Sequence, residues 1–398
     1  MNKSKKTTLF IIGVILTSIC LRGPIASVGS LISSMESDLG VSKGHLGFIT
    51  TLPLLVFAVS SLVIPKIANK IGHTRILIIG MLLLAAGSFT RTLAGYFVVL
   101  AGTLLVGIGI SVGNVLISAI IKENMPLKIG LATGIYLCFQ NLSATMAAGL
   151  SYPLAVSVDL GWRNTLALWA IPGVLAAAAW VVFGINNKIN EQRLDQPVTV
   201  GQKSTVLWKS GLAWSITIVM GVQSVCYYCI TAWLPSILEA TGMNFETAGY
   251  VASAFQLFAI PATFIAPIVI AHTKNKSLPA ILSGVFYIVG ILIIMFTDSI
   301  PVILVGLFFL ATGGGASFAW VVAIIAIVSK DSHEATRLSG MAQSLGYVMA
   351  AVAPTLAGAL FDMTESWFSV MAMVILMSVM IIIFSYTTGR MLKKSHVL

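Results

Sequence analysis

Long apolar runs, each broken by a short segment of charge, proline, glycine or asparagine, recur along the whole chain. A bilayer core is crossed by about 20 mostly apolar residues in a helix. On that measure the pattern predicts helices over 8–32, 45–68, 75–92, 96–121, 129–153, 164–184, 211–236, 247–271, 279–297, 300–328, 339–361 and 366–388. A polar stretch from Ile185 to Ser210, with Lys188, Glu191, Arg193, Asp195, Lys203 and Lys209, separates the sixth from the seventh. Lys3, Lys5 and Lys6 ahead of the first run have the layout of a secretory signal. The apolar character resumes after Arg22 and continues to Ile32, so the segment is expected to be a retained first helix.

Within the runs, polar residues keep to stripes at helical spacing. Gly107, Ser111, Asn114 and Ser118 share a face of the fourth helix, and Thr133, Tyr136, Gln140 and Ser143 one of the fifth. Gln223 with Tyr227 and Thr231, Ser253 with Gln256, Ser317 with Trp320, and Gln343 with Tyr347 continue the pattern on the seventh, eighth, tenth and eleventh. The third, sixth, ninth and twelfth carry few such residues and are expected to face lipid. Isolated serines and threonines serve mostly as interhelical hydrogen bonds. Gly109-x3-Gly113 and Gly130-x3-Gly134 allow close helix contact, a common feature of membrane proteins.

The halves resemble each other. LISSMESDLGVSKGHLGF (31–48) lies over WLPSILEATGMNFETAGY (233–250) at an offset of 202. An offset of 206 then pairs Gly107 with Gly313, Gly109 with Gly315 and Gly134 with Gly340. Collinear repeats of this kind mark two parallel six-helix bundles: 1–185, a cytoplasmic linker over 186–210, and 211–398. The fold class is therefore an all-α membrane protein of twelve transmembrane helices.

Composition agrees, with 58% hydrophobic and 9% charged residues, against about a quarter charged in soluble domains. The net charge of +10 is distributed as topology, not as a nucleic-acid-binding face. With both termini cytoplasmic, nineteen of the 23 Lys and Arg residues fall on the inner side, as the positive-inside rule requires. Lys43, Arg91 and Arg163 fall outside, and Arg22 alone is placed deep in a span. Cys20, Cys138, Cys226 and Cys229 sit inside apolar runs as packing residues, and no motif calls for a metal or cofactor.

Arg22 is the residue that most constrains function. It lies about fourteen residues into its helix, roughly 21 Å along the axis, and a central arginine costs at least ~2.5–3.5 kcal/mol on insertion scales. No Asp or Glu is placed within a span to compensate it. A substrate anion held by the guanidinium fork is one way to satisfy it; the competing reading is a bond to backbone carbonyls near Gly23-Pro24. The carboxylates and His45 fall at the margins. Glu36 and Asp38 are the best proton-site candidates, and a coupled proton or counter-anion stays open.

These residues carry a resemblance to the major facilitator superfamily, and within it to the cyanate/2-nitroimidazole transporter branch. PKIANKIGHTR (65–75) looks like the superfamily loop G-x3-D-R-x-G-R/K-R, with Pro65 for the first glycine and Asn69 for the aspartate. It retains Lys70, Gly72 and Arg75, which the resemblance implies are gating residues. GWR (161–163) is a common superfamily feature, and the Arg of proton-driven drug exporters is missing, with Thr103 near its place. LRGPIASVGSL (21–31), GNVLISAIIK (113–122), YYCITAWLPSIL (227–238) and GMAQSLGYVMAAVAPTLAGALFD (340–362) are similar to branch segments of helices 1, 4, 7 and 11. The resemblance implies small anions or neutral nitroheterocycles as solutes, contacted first by Arg22 and Asn114.

The expected function is alternating-access transport of a small anionic solute by a monomer in the cell membrane, at a site drawn from Arg22, Asn114, Tyr136, Gln140, Gln223, Tyr227, Gln256, Trp320, Gln343 and Tyr347. A multidrug or nitroheterocycle exporter of the same superfamily is the alternative. An intramembrane enzyme lacks H-E-x-x-H, G-x-S-x-G or a buried carboxylate pair, and the two-fold repeat disfavours a permease subunit with a separate ATPase.

Overall fold

The computed structural model describes residues 3–186 and 205–394, apart from Ser42, Ala94 and Asn244. The helices are α1 (Lys3–Leu39), α2 (Lys43–Ile71), α3 (His73–Thr90), α4 (Tyr96–Asn124), α5 (Ile129–Tyr152), α6 (Gly161–Ala167) and α7 (Ala170–Asn186). They continue with α8 (Thr205–Lys209), α9 (Gly211–Glu239), α10 (Phe245–His272), α11 (Leu278–Met295), α12 (Ile300–Val328), α13 (Ser332–Thr364) and α14 (Trp367–Lys394).

Eleven helical segments among the described residues are long and apolar enough to cross a membrane, with α6 and α7 forming one of them. The twelfth is α5, 24 residues long, whose adjacent Gln140 and Asn141 dilute its apolar character.

Several ends differ from the sequence expectation. Helix α1 extends to Leu39, beyond its apolar run. Helix α13 starts at Ser332 instead of 339 because it is capped: the Glu334 N–H donates to Asp331 Oδ1 at 2.7 Å, and the Lys330 N–H to Glu334 Oε2 at 2.6 Å. Helix α5 ends in a π turn at Pro153–Ser157, where proline withholds a donor. Of the linker, residues 187–204 lie outside the described residues, and Thr205–Lys209 is a short helix instead of coil.

Packing divides the chain into two compact units. The first comprises Met1–Pro126, Leu142–Ser210 and Lys330–Gly340; the second Leu127–Asn141, Gly211–Ser329 and Met341–Leu398. The division passes through α5 and α13, so it follows these two helices differently from the sequence halves.

Inside the first unit α2 and α3 pack on α4, and α7 packs on α1 and α3. Inside the second, α10 and α11 pack on α12, and α14 packs on α9 and α11. The repeat is thus a repeat of helix pairings. Its register corrects the sequence alignment. A Cβ on Gly87 would lie 2.5 Å from the Gly102 carbonyl oxygen, and one on Gly290 2.6 Å from that of Gly306. Gly109 meets the Gly80 carbonyl as Gly313 meets that of Ser283. Gly109 is therefore the counterpart of Gly313, not Gly315. Small residues are dense on both helices, so a two-residue slip still aligns them.

Burial alone does not single out the lipid-facing helices. The span of α14 is the least buried, but α3 is as buried as α1, and α10 and α13 are no more buried than the α6–α7 span.

Candidate functional site

In the first unit the site begins with the way α1 is held. Pro24 cannot donate to the Cys20 carbonyl, which weakens the ladder next to Arg22. Neighbouring helices compensate with a series of polar anchors. Trp180 Nε1 donates to Thr17 Oγ1 at 2.8 Å, Ser143 Oγ to the Ile19 carbonyl at 2.6 Å, and Arg91 Nη1 to the Pro24 carbonyl at 3.0 Å. Trp169 Nε1 donates to Ser27 Oγ at 2.7 Å, and Ser30 Oγ to the Ala148 carbonyl at 2.8 Å. These anchors bracket Arg22, which is partly exposed.

Asn114 of α4 is brought to the same depth. Its neighbour Gly113 receives the Leu21 side chain, so closely that a Cβ would sit 2.5 Å from Leu21 Cδ2. Asn114 is buried. Arg22 and Asn114, nearly a hundred residues apart in sequence, therefore occupy adjacent turns of packed helices.

Arg91 departs from its expected place. Read as an external charge, it is instead 1% exposed. The reason is tertiary: glycines at 87 and 102 bring α3 and α4 together and leave a path for its stem, which ends on α1. Sequence reasoning missed it because a basic residue ending an apolar run normally marks solvent.

In the second unit the polar residues form smaller groups. Tyr227 of α9 and Gln256 of α10 are hydrogen-bonded, Nε2 to the phenol at 3.1 Å, and both are partly exposed. The Tyr227 ring lies edge-on to Tyr228 and near Phe255, at 5.3 and 6.1 Å between centroids. Gln343 and Tyr347 are buried on α13, which packs its Gly346 against Met220 of α9. On α5, Gln140 Nε2 donates to Tyr136 Oη at 3.3 Å, and both are buried. Asn141, absent from the sequence expectation, donates to Thr263 Oγ1 at 3.0 Å and fixes α5 on α10.

Two residues are engaged elsewhere. Gln223 uses its amide within α9, on Ser224 Oγ at 2.7 Å and the Met220 carbonyl at 3.1 Å. Trp320 is fully buried and donates Nε1 to the Lys276 carbonyl at 2.6 Å, while Lys276 Nζ caps the Ile270 and Ala271 carbonyls ending α10. Asp38, a candidate proton site, is ion-paired with Arg163 at 2.5 Å and accepts from Trp162 Nε1 at 3.2 Å. That contact accounts for the GWR motif, which ties the start of α6 to the end of α1.

The turn between α2 and α3 has Gly72 at φ 104°, with Lys70 and Arg75 exposed on either side. The residue that makes the buried contacts is His73. Its Nε2 lies 3.1 Å from both Asn69 Oδ1 and Thr336 Oγ1, and its Nδ1 3.5 Å from Glu123 Oε2. Thr336 already donates to the Ser332 carbonyl at 2.8 Å, so it accepts from Nε2–H. The His333 ring lies 5.2 Å away.

Comparison with known proteins adds the following. Residues 14–354 match the description Major Facilitator Superfamily. The chain is 35% identical over 382 residues to the uncharacterized transporter YycB of Bacillus subtilis (strain 168), covering 96% of this chain and 93% of that one. It is 29% identical to the 2-nitroimidazole transporter of Escherichia coli (strain K12), covering 97% and 96%. Against the cyanate transport protein CynX of the same organism the identity is 23%, covering 89% and 90%. Among solved structures, the proton:xylose symporter XylE bound to 6-bromo-6-deoxy-D-glucose superposes with a TM-score of 0.75 at 12% identity, covering 97% and 96%, a likeness of fold.

Proposed function

The chain belongs to the Major Facilitator Superfamily, and on that premise we propose that it moves a small anion across the cell membrane by alternating access, with Arg22 as the anion-binding residue. The observation that carries this reading is the setting of Arg22: a partly exposed arginine within a span, its helix pinned on both sides, next in the chain to Leu21, which packs on Gly113 directly before the buried Asn114. A guanidinium offers a planar fork to an oxyanion or to cyanate, and an amide N–H adds a neutral donor. The relatedness to a cyanate transport protein supports a small anion as solute. In the second unit, taken by itself, Tyr227 and Gln256 form a polar pair, and Tyr136, Gln140, Gln343 and Tyr347 are its further candidate contacts. Trp320 and Gln223 are left out because their donors are engaged within the scaffold.

The bias of basic residues puts both termini in the cytoplasm, and the solute crosses chemically unchanged. A second reading, a neutral nitroheterocycle as solute, draws on the relative named a 2-nitroimidazole transporter and on the aromatic group of Tyr227, Tyr228 and Phe255.

Purified protein is to be melted with nitrate, cyanate, short monocarboxylates, small dicarboxylates and 2-nitroimidazole, alongside Arg22→Ala. One anion is expected to stabilise the wild type and to lose that effect in the variant. Equal stabilisation of both by every active compound would assign Arg22 to the scaffold. Proteoliposome uptake with and without a pH gradient then decides the coupling.

A further inference from the structure

Arg91 is the only Lys or Arg among the described residues that is buried. It sits at the C-terminal cap of α3, where its N–H bonds the Gly87 carbonyl at 3.2 Å. Its side chain crosses α4 at Gly102, where a Cβ would come within 2.9 Å of Arg91 Cγ, and ends on the Pro24 carbonyl of α1. Its Nε has no acceptor, and among the described residues no carboxylate pairs with it. This is a costly arrangement. A buried cation is normally paired, and desolvation is repaid only when geometry and partners are good. If Arg91 served only to hold the Pro24 carbonyl, a neutral donor would do so without the charge.

The location gives the charge a use. Pro24 lies two residues beyond Arg22, about 3 Å along the helix axis. A charge removed from water is little screened by salt or solvent. Arg91 therefore raises the potential around the Arg22 segment of α1.

We propose that Arg91 is a specificity-determining residue: a fixed positive charge behind α1, anchored on the Pro24 carbonyl, that favours anions over neutral solutes at Arg22. This rests on the assignment of Arg22 to the solute. Arg91 does not touch the solute; it acts through the field and through α1.

The test uses the full chain in proteoliposomes, with cyanate and nitrate as anions and 2-nitroimidazole as the neutral probe. Arg91→Gln keeps a donor for the Pro24 carbonyl and removes the charge, whereas Arg91→Lys keeps the charge. The expected result is a KM for the transported anion raised at least fivefold in the glutamine variant, with Vmax within twofold. The lysine variant should stay within twofold of wild type in KM, and the response to 2-nitroimidazole should be unchanged in both. If Arg91→Gln fails to fold, Arg91→Met carries the same expectation. An unchanged anion KM in the uncharged variant overturns the proposal. So does an equal rise in the lysine and uncharged variants, or an equal loss for the anion and the neutral probe, since each marks a structural role. Arg22→Ala in parallel separates the two assignments: anion uptake unaffected there removes the anion site itself, whatever Arg91 does.

Discussion

Gly23 offers a sharp test of how the Arg22 segment is built. It lies in α1 between Arg22 and Pro24, and a Cβ there would fall on the Trp169 ring carbons and 2.6 Å from Ser143 Oγ. Both neighbours are committed, Trp169 to Ser27 and Ser143 to the Ile19 carbonyl, so neither can swing away without losing an anchor. A side chain before proline is also disfavoured in the α region. Overpacking of this kind costs about 1–3 kcal/mol, to which the lost anchors add, while Gly→Ala in a helix returns up to ~1 kcal/mol. Gly23→Ala is therefore expected to destabilise by about 1–3 kcal/mol. Gly29, on the same helix, has nothing within 4 Å of its Cβ position, so Gly29→Ala should stabilise by roughly 0.5–1 kcal/mol. At about 1 °C per kcal/mol for a chain of this length, the two variants should melt roughly 2–5 °C apart. Intrinsic-fluorescence melting of detergent-purified protein measures this directly. The same displacement should raise the anion KM of Gly23→Ala about tenfold or more, since an ångström of misplacement can cost ~100-fold. A Gly23→Ala protein that melts with or above Gly29→Ala would refute the packing of Trp169 and Ser143 on α1.

Three further variants have defined outcomes. Trp320→Phe removes the Nε1 bond to the Lys276 carbonyl and should lower stability by about 1–2 kcal/mol while leaving solute KM unchanged; a raised KM with unaltered melting would put Trp320 at the solute instead. His73→Ala removes the ring that joins Asn69, Thr336 and Glu123 and should cost about 1–3 kcal/mol, visible as faster proteolysis around 330–340. Lys70→Ala, on an exposed side chain, should change stability by less than ~0.5 kcal/mol, and a loss as large as that of His73→Ala would contradict the assignment.

Much of the fold was legible because lipid imposes a simple rule: spans must be long, apolar and helical. Helix α12 occupies the run read from sequence, 300–328. What could not be read depends on contacts between distant segments. The break at Leu168 and Trp169 in the sixth span is invisible in hydropathy, yet it turns Trp169 toward Ser27. The PKIANKIGHTR loop drew attention to Lys70, Gly72 and Arg75, but the buried contacts fall to His73, whose partner Thr336 is 263 residues away. Arg91 is hidden by the same logic, since only the meeting of Gly87, Gly102 and Pro24 makes room for it. Helical stripes locate polar faces, but whether a given amide is engaged locally, as Gln223 is, or offered outward is settled one rotamer at a time.

Helix α4 is buried without interruption from Gly109 to Ile121. A segment of that apolarity would partition readily from the insertion machinery into the bilayer, but in the mature protein this stretch has exchanged acyl chains for neighbouring helices all round. Its oiliness is therefore a requirement of biogenesis. Once assembled, its amide protons should be among the last to exchange with deuterium, and a lipid-dissolved photolabel should mark α14 and spare this stretch of α4.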